Sequence, residues 1–95
     1  METIDQIKAV RNVVETYLDK SSEFEYHYSE DERDHIINIG TSILCTKWGI
    51  GYPGGSFVQA VVDNKLMEAV GRADSINVKM LPFYCKLIYN AIYPL

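Results

Sequence analysis

Four places in the chain carry the short hydrogen-bonding signal that starts a helix, and each is followed by apolar residues at helical spacing. Thr3 with Gln6, Ser29 with Glu32 and Ser56 with Gln59 have capping-box spacing, and Asp74 can supply a fourth cap. In such a box a short oxygen-bearing side chain accepts from the backbone N–H three residues on, and the longer side chain reaches back. Behind Thr3, the residues Ile4, Ile7, Val10, Val13, Val14, Tyr17 and Leu18 recur at three- and four-residue steps, with Lys20, Ser21 and Ser22 as a stop. Behind Ser29, Ile36, Ile39, Ile43, Leu44 and Trp48 lead to a terminating Gly49. Ser56 opens a helix through about Val62; Asp63 and Asn64 break it, and Leu66 to Val70 resume it as far as Gly71. Asp74 starts the last helix, which runs to about Ile92 and carries Pro82, a residue expected to kink it. Only Phe24 to Tyr28 alternates with period two, and a lone strand has nothing to pair with. That segment is read as an extended arm between the first two helices. The expectation is an all-α domain spanning 1–95, a compact bundle of four to five helices.

Composition narrows the function classes. A chain of 95 residues suits one domain, and 47% hydrophobic content is incompatible with intrinsic disorder. No apolar run approaches the roughly 18 residues of a membrane span. An acidic start and two cysteines without Cys-x-x-Cys spacing point to free thiols in a reducing, cytoplasmic setting. The net charge of −4 disfavours nucleic acid as a partner. Ten acidic and four basic residues fall in 1–35, against three and five in 36–95.

The glycine-rich stretch from Gly49 to Ser56 includes a literal Gly-x-Gly-x-x-Gly, but a helix precedes it and Pro53 interrupts it, so it is no dinucleotide fingerprint. Two readings stay open. In one, the stretch is a turn between packed helices with Trp48 in the core. In the other, Gly54, Gly55 and Ser56 present backbone N–H groups at a helix start to a small anion, with Trp48 or Tyr52 stacking on a ring. Arg72 is either a corner brace, to Asp74 or to a backbone carbonyl, or an anion clamp shared with that loop, and Asp74 and Asn77 complete the candidate ligand set. His27 and His35 lie among carboxylates without a metal-ligand spacing, so neither metal nor cofactor is expected. Cys45 and Cys85 are expected to be buried thiols.

From Gly51 to Asn90 the chain resembles a family of small α-helical proteins encoded by phages, prophages and other mobile elements. The resemblance lies in Gly51-Tyr52-Pro53-Gly54-Gly55-Ser56-Phe57, Ala60-Val61-Val62, Asn64, Leu66 and Ala69. It continues in Arg72-Ala73-Asp74 with Asn77, and in Ile88-Tyr89-Asn90. Lys65 departs from the acidic residue common there. The resemblance implies a mobile-element origin, where small proteins act by binding components of the host bacterium or of its defences.

No nucleophile–base or acid–base pair stands out, so the expectation is a non-catalytic binding protein. Its partners are itself and a host or defence protein. The alternatives are capture of a small anionic ligand such as a signalling nucleotide, and a virion structural or assembly role. Self-association follows from the last helix, where Lys86 and Asn90 are the clearly polar residues between Leu81 and Leu95. Tyr84, Tyr89 and Ile92 are the expected interface.

Overall fold

The computed structural model describes residues 3–20 and 28–92. His27 and most of the expected aromatic arm, Phe24 to His27, lie outside them; Tyr28 is half-buried against the core. Five helices follow in order: α1 (Thr3–Lys20), α2 (Glu30–Trp48), α3 (Ser56–Val62), α4 (Leu66–Arg72) and α5 (Ser75–Asn90). Among the described residues there is no strand.

The local signals explain most of the boundaries. At α2 the Ser29 hydroxyl accepts from Glu32 N–H at 3.2 Å and the Glu32 carboxylate accepts from Ser29 N–H at 3.1 Å, a complete capping box. Gly49 ends the helix in the left-handed region (φ 69°), and the N–H groups of Gly49 and Ile50 return to the carbonyls of Thr46 and Cys45. This closure satisfies carbonyls that a helix end leaves orphaned, and its left-handed residue is most often glycine, sometimes asparagine. Asn64 (φ 60°) does the same after α3, with Asn64 N–H on Val61 O and Lys65 N–H on Ala60 O. Asp74 caps α5 by accepting from Asn77 N–H at 2.7 Å. The Ser56–Gln59 box does not form. Gly55 is the N-cap of α3, without a side-chain cap, and the Gln59 amide donates instead to the Gly54 carbonyl at 2.7 Å.

The central element is α2, which packs against α1, α3 and α5. It buries Ile36, Ile37, Gly40, Thr41, Ile43, Leu44 and Cys45, positions spread over most of its circumference. The buried Thr41 hydroxyl is satisfied by donating to Ile37 O at 2.7 Å. Gly40 sits where α1 and α5 both close on α2. A Cβ there would lie 2.8 Å from Val14 Cγ1 and 3.2 Å from Leu87 Cδ2. From α1 the core receives Val10, Val14 and Leu18; from α5 it receives Met80, Phe83, Tyr84 and Leu87. Tyr84 meets Phe57 edge-on with ring centroids 6.0 Å apart, and Phe83 at 5.9 Å. None of the described helices is long and apolar enough to cross a membrane.

Candidate binding surface

The glycine stretch is tied down as a turn. Gly54 N–H donates to Thr46 Oγ1 at 2.8 Å, so one of the amides expected to face a ligand is spent on α2. A Cβ on Gly54 would strike Ser42 Oγ and Val58, whereas Gly55 faces open space. Trp48 is half-buried against the core.

The remaining expected ligand residues are distributed over three separate places. Tyr52, 96% exposed, stands at the rim of a cavity of about 300 Å³ between α1 and α2, beside Arg11, Asn38 and Ser42. The Arg11 guanidinium there is already engaged by Asn38 Oδ1 and by Glu15 at 3.4 Å. Ser56 and Arg72 share a different, shallow depression of about 180 Å³, which also holds Asp63, Lys65 and Glu68. Charges of both signs there offset one another toward an anion. The brace between Arg72 and Asp74 does not form either: Asp74 is occupied by the N-cap bond to Asn77 and by His35 Nε2 at 2.9 Å.

Asn77 is the third case, and it corrects two assignments at once. It is buried, and its Oδ1 accepts from the Tyr84 hydroxyl at 2.7 Å. Asn77 is therefore a core partner and not a ligand group. Tyr84, expected at an interface, is 0% exposed. Burial, with the nearby Asp74 charge, pushes its phenol well above the usual range, so it stays a neutral donor. The sequence could not separate Tyr84 from Tyr89, because α5 is apolar on more than one face. The His35–Asp74 pair was missed for another reason: its members are 39 residues apart.

The thiols divide. Cys45 is buried as expected, but Cys85 is exposed, because its position on α5 points away from α2. Desolvation raises both thiols, which moves them away from nucleophilic thiolates.

The surface feature with the clearest pattern is the outward side of α5. Val78, Pro82, Cys85 and Tyr89 form one stripe opposite the buried Met80, Phe83, Tyr84 and Leu87, and all four are exposed, Tyr89 by 88%. Ile92, just beyond the helix, is also exposed. The short α4 carries exposed apolar residues as well. Only Ala69 of its residues is buried, while Leu66, Met67 and Val70 stand out, Met67 at 89%. Leu66 shares a crevice with Leu81 and Cys85, so the start of α4 adjoins α5 there. A larger groove of about 530 Å³ lies between α1 and the end of α5, with Val13, Tyr17 and Ile92 among its walls.

The chain matches no protein-family model, and neither a curated protein nor a solved structure matches it at a significant level.

Proposed function

We propose that this chain is a non-catalytic binding protein that acts by covering another protein surface, with the outward face of α5 and the adjoining start of α4 as its contact. The observation that carries the reading is the stripe Val78–Pro82–Cys85–Tyr89, an uncharged outer face on a helix whose inner face already fills the core. A contiguous apolar patch of this kind costs solubility unless a partner covers it. Burying one large apolar side chain contributes roughly 1.5–3 kcal/mol, so several together offset a typical association cost. The raised thiols and the counterbalanced Arg11 and Arg72 fit binding better than chemistry. The phage-type role in host takeover or counter-defence rests on the resemblance of the Gly51–Asn90 segment, and self-association is part of it.

The test pairs two surface charges. Tyr89→Glu is expected to abolish both self-association in light scattering and retention of any protein captured from bacterial lysate, with helical circular dichroism unchanged. Lys8→Glu, on the polar outer face of α1 and away from the groove beside Ile92, is the control and changes neither. Retention of every interaction by Tyr89→Glu overturns the reading.

A further inference from the structure

We propose that the cavity of about 300 Å³ between α1, α2 and the turn at Gly51 and Tyr52 binds a small ring-bearing carboxylate. No described residue of α4 or α5 lines it, so the site is independent of the protein-binding surface above. Its volume lies at the small end of ligand pockets, which suits one ring with a short substituent. The lining is divided by chemistry. Ile7 and the buried Ile50 form an apolar side, and Ile7 is 36% exposed. Tyr52 stands at the rim on a turn pinned on both sides of it. Ile50 N–H donates to Cys45 O and Gly54 N–H to Thr46 Oγ1, each at 2.8 Å. A turn held in this way presents the Tyr52 ring with little ordering cost, and a flat ligand ring would cover it together with Ile7.

The polar side offers donors. Only an acceptor can face a guanidinium, so the bond from Arg11 fixes the Asn38 amide with Oδ1 toward Arg11 and its N–H groups turned away. Asn38 and Ser42 are four residues apart on α2 and are neighbours on one helix face. Glu15 meets Arg11 at Nε and Asn38 meets it at Nη1. Among the described residues, Arg11 Nη2, the Asn38 amide N–H groups and the Ser42 hydroxyl have no protein acceptor. Thr41, also on this wall, is spent on Ile37 O. A charged donor beside two neutral ones, with no carboxylate among the described lining residues, calls for an acceptor-rich anionic edge. One guanidinium already shared with Glu15 balances a monoanion and leaves a doubly charged phosphate short of a partner. The apolar side then takes the ring that carries the carboxylate.

NMR titration of the full chain with benzoate, phenylacetate and indole-3-acetate tests this. At least one acid is expected to saturate, with amide shifts centred on Arg11, Asn38, Ser42, Gly51 and Tyr52. The uncharged primary amide of that acid is expected to bind about tenfold or more weakly, because it forfeits a charge-assisted hydrogen bond. Arg11→Met removes the preference for acid over amide, and Tyr52→Ala weakens both alike, with circular dichroism and the urea midpoint reporting the fold of each variant. The comparison of acid with amide on the natural chain stays decisive even if a variant unfolds. Absence of saturation by all three acids overturns the proposal, as do shifts centred on another surface. An amide that binds as tightly as its acid, or a preference that survives Arg11→Met, rejects the carboxylate.

Discussion

Helices α1 and α5 flank α2 in comparable ways, yet they treat solvent differently. Each presses a stripe of apolar residues inward: Val10, Val14 and Leu18 on α1, and Met80, Phe83, Tyr84 and Leu87 on α5. Outward, α1 shows Asp5, Lys8, Asn12, Thr16 and Asp19, while α5 shows Val78, Pro82, Cys85 and Tyr89. The outer face of α1 is further tied to its neighbour by Arg33, which donates to both Asp19 carboxylate oxygens at 3.1 and 3.3 Å. That partner raises the guanidinium's pKa, though an exposed pair contributes only about 0–1 kcal/mol. A polar outer face ends the assembly of a fold at that surface. An apolar one leaves burial unfinished, and here it is unfinished on the helix that already supplies the largest core side chains.

The sharpest way to break the comparison is to damage the inner face of α5. Phe83→Ala is expected to cost about 3–5 kcal/mol in urea unfolding, because it removes a buried ring and leaves a cavity. Tyr89→Ala, six residues on but outward, should leave the chain's own fold within about 0.5 kcal/mol when measured below the association range.

Gly40 tests whether α1 and α5 depend on α2 in the same way. Gly40→Ala would gain about 1 kcal/mol of helix propensity, but its Cβ meets the stiff Val14 side chain and then Leu87. Overpacking of that kind costs about 1–3 kcal/mol, so a net fall in melting temperature is expected. A rise would show that α1 and α5 can move apart without cost.

The polar chain at the head of α5 gives the next effect. Asn77→Ala strands the buried Tyr84 hydroxyl and is expected to cost about 1–3 kcal/mol. Tyr84→Phe combined with Asn77→Leu should recover part of that loss, which a double-mutant cycle by chemical denaturation reads directly.

The smallest effects are gains. Gly71 is helical, exposed and surrounded by open space, so Gly71→Ala is expected to stabilise by about 0.5–1 kcal/mol. Gly55→Ser supplies the cap that α3 lacks and should add a few tenths of a kcal/mol. Loss of stability in Gly55→Ser would mean that the turn, and not the missing cap, governs the start of α3.

Much of the fold was legible because its signals are local. Ser29 with Glu32, Gly49, Asn64 and Asp74 mark caps whose bonds span three to five residues, and such bonds form wherever the helix forms. Those residues and the 3.6-residue recurrence gave the helices of an all-α bundle close to their observed limits. Ser56 misled because the Gln59 amide also reaches the Gly54 carbonyl, and spacing alone does not rank the two. The candidate site was far less legible. Its expected members went to separate surfaces, since nothing local relates Arg72 to Tyr52.

By itself the sequence determined where helices begin and end, and that α5 carries more apolar surface than one core contact can use. The tertiary structure decided which side of α5 is used. Tyr84 turned inward to Asn77 and Phe57, Tyr89 turned outward, and Cys85 followed Tyr89 to the surface. Periodicity cannot make that choice on a helix that is apolar nearly all round. It is made by the shape of α2, where Gly40 leaves room for Leu87 and Val14 to close in. The His35–Asp74 contact has the same origin, since it exists only because packing α5 on α2 brings together two residues that the chain keeps far apart.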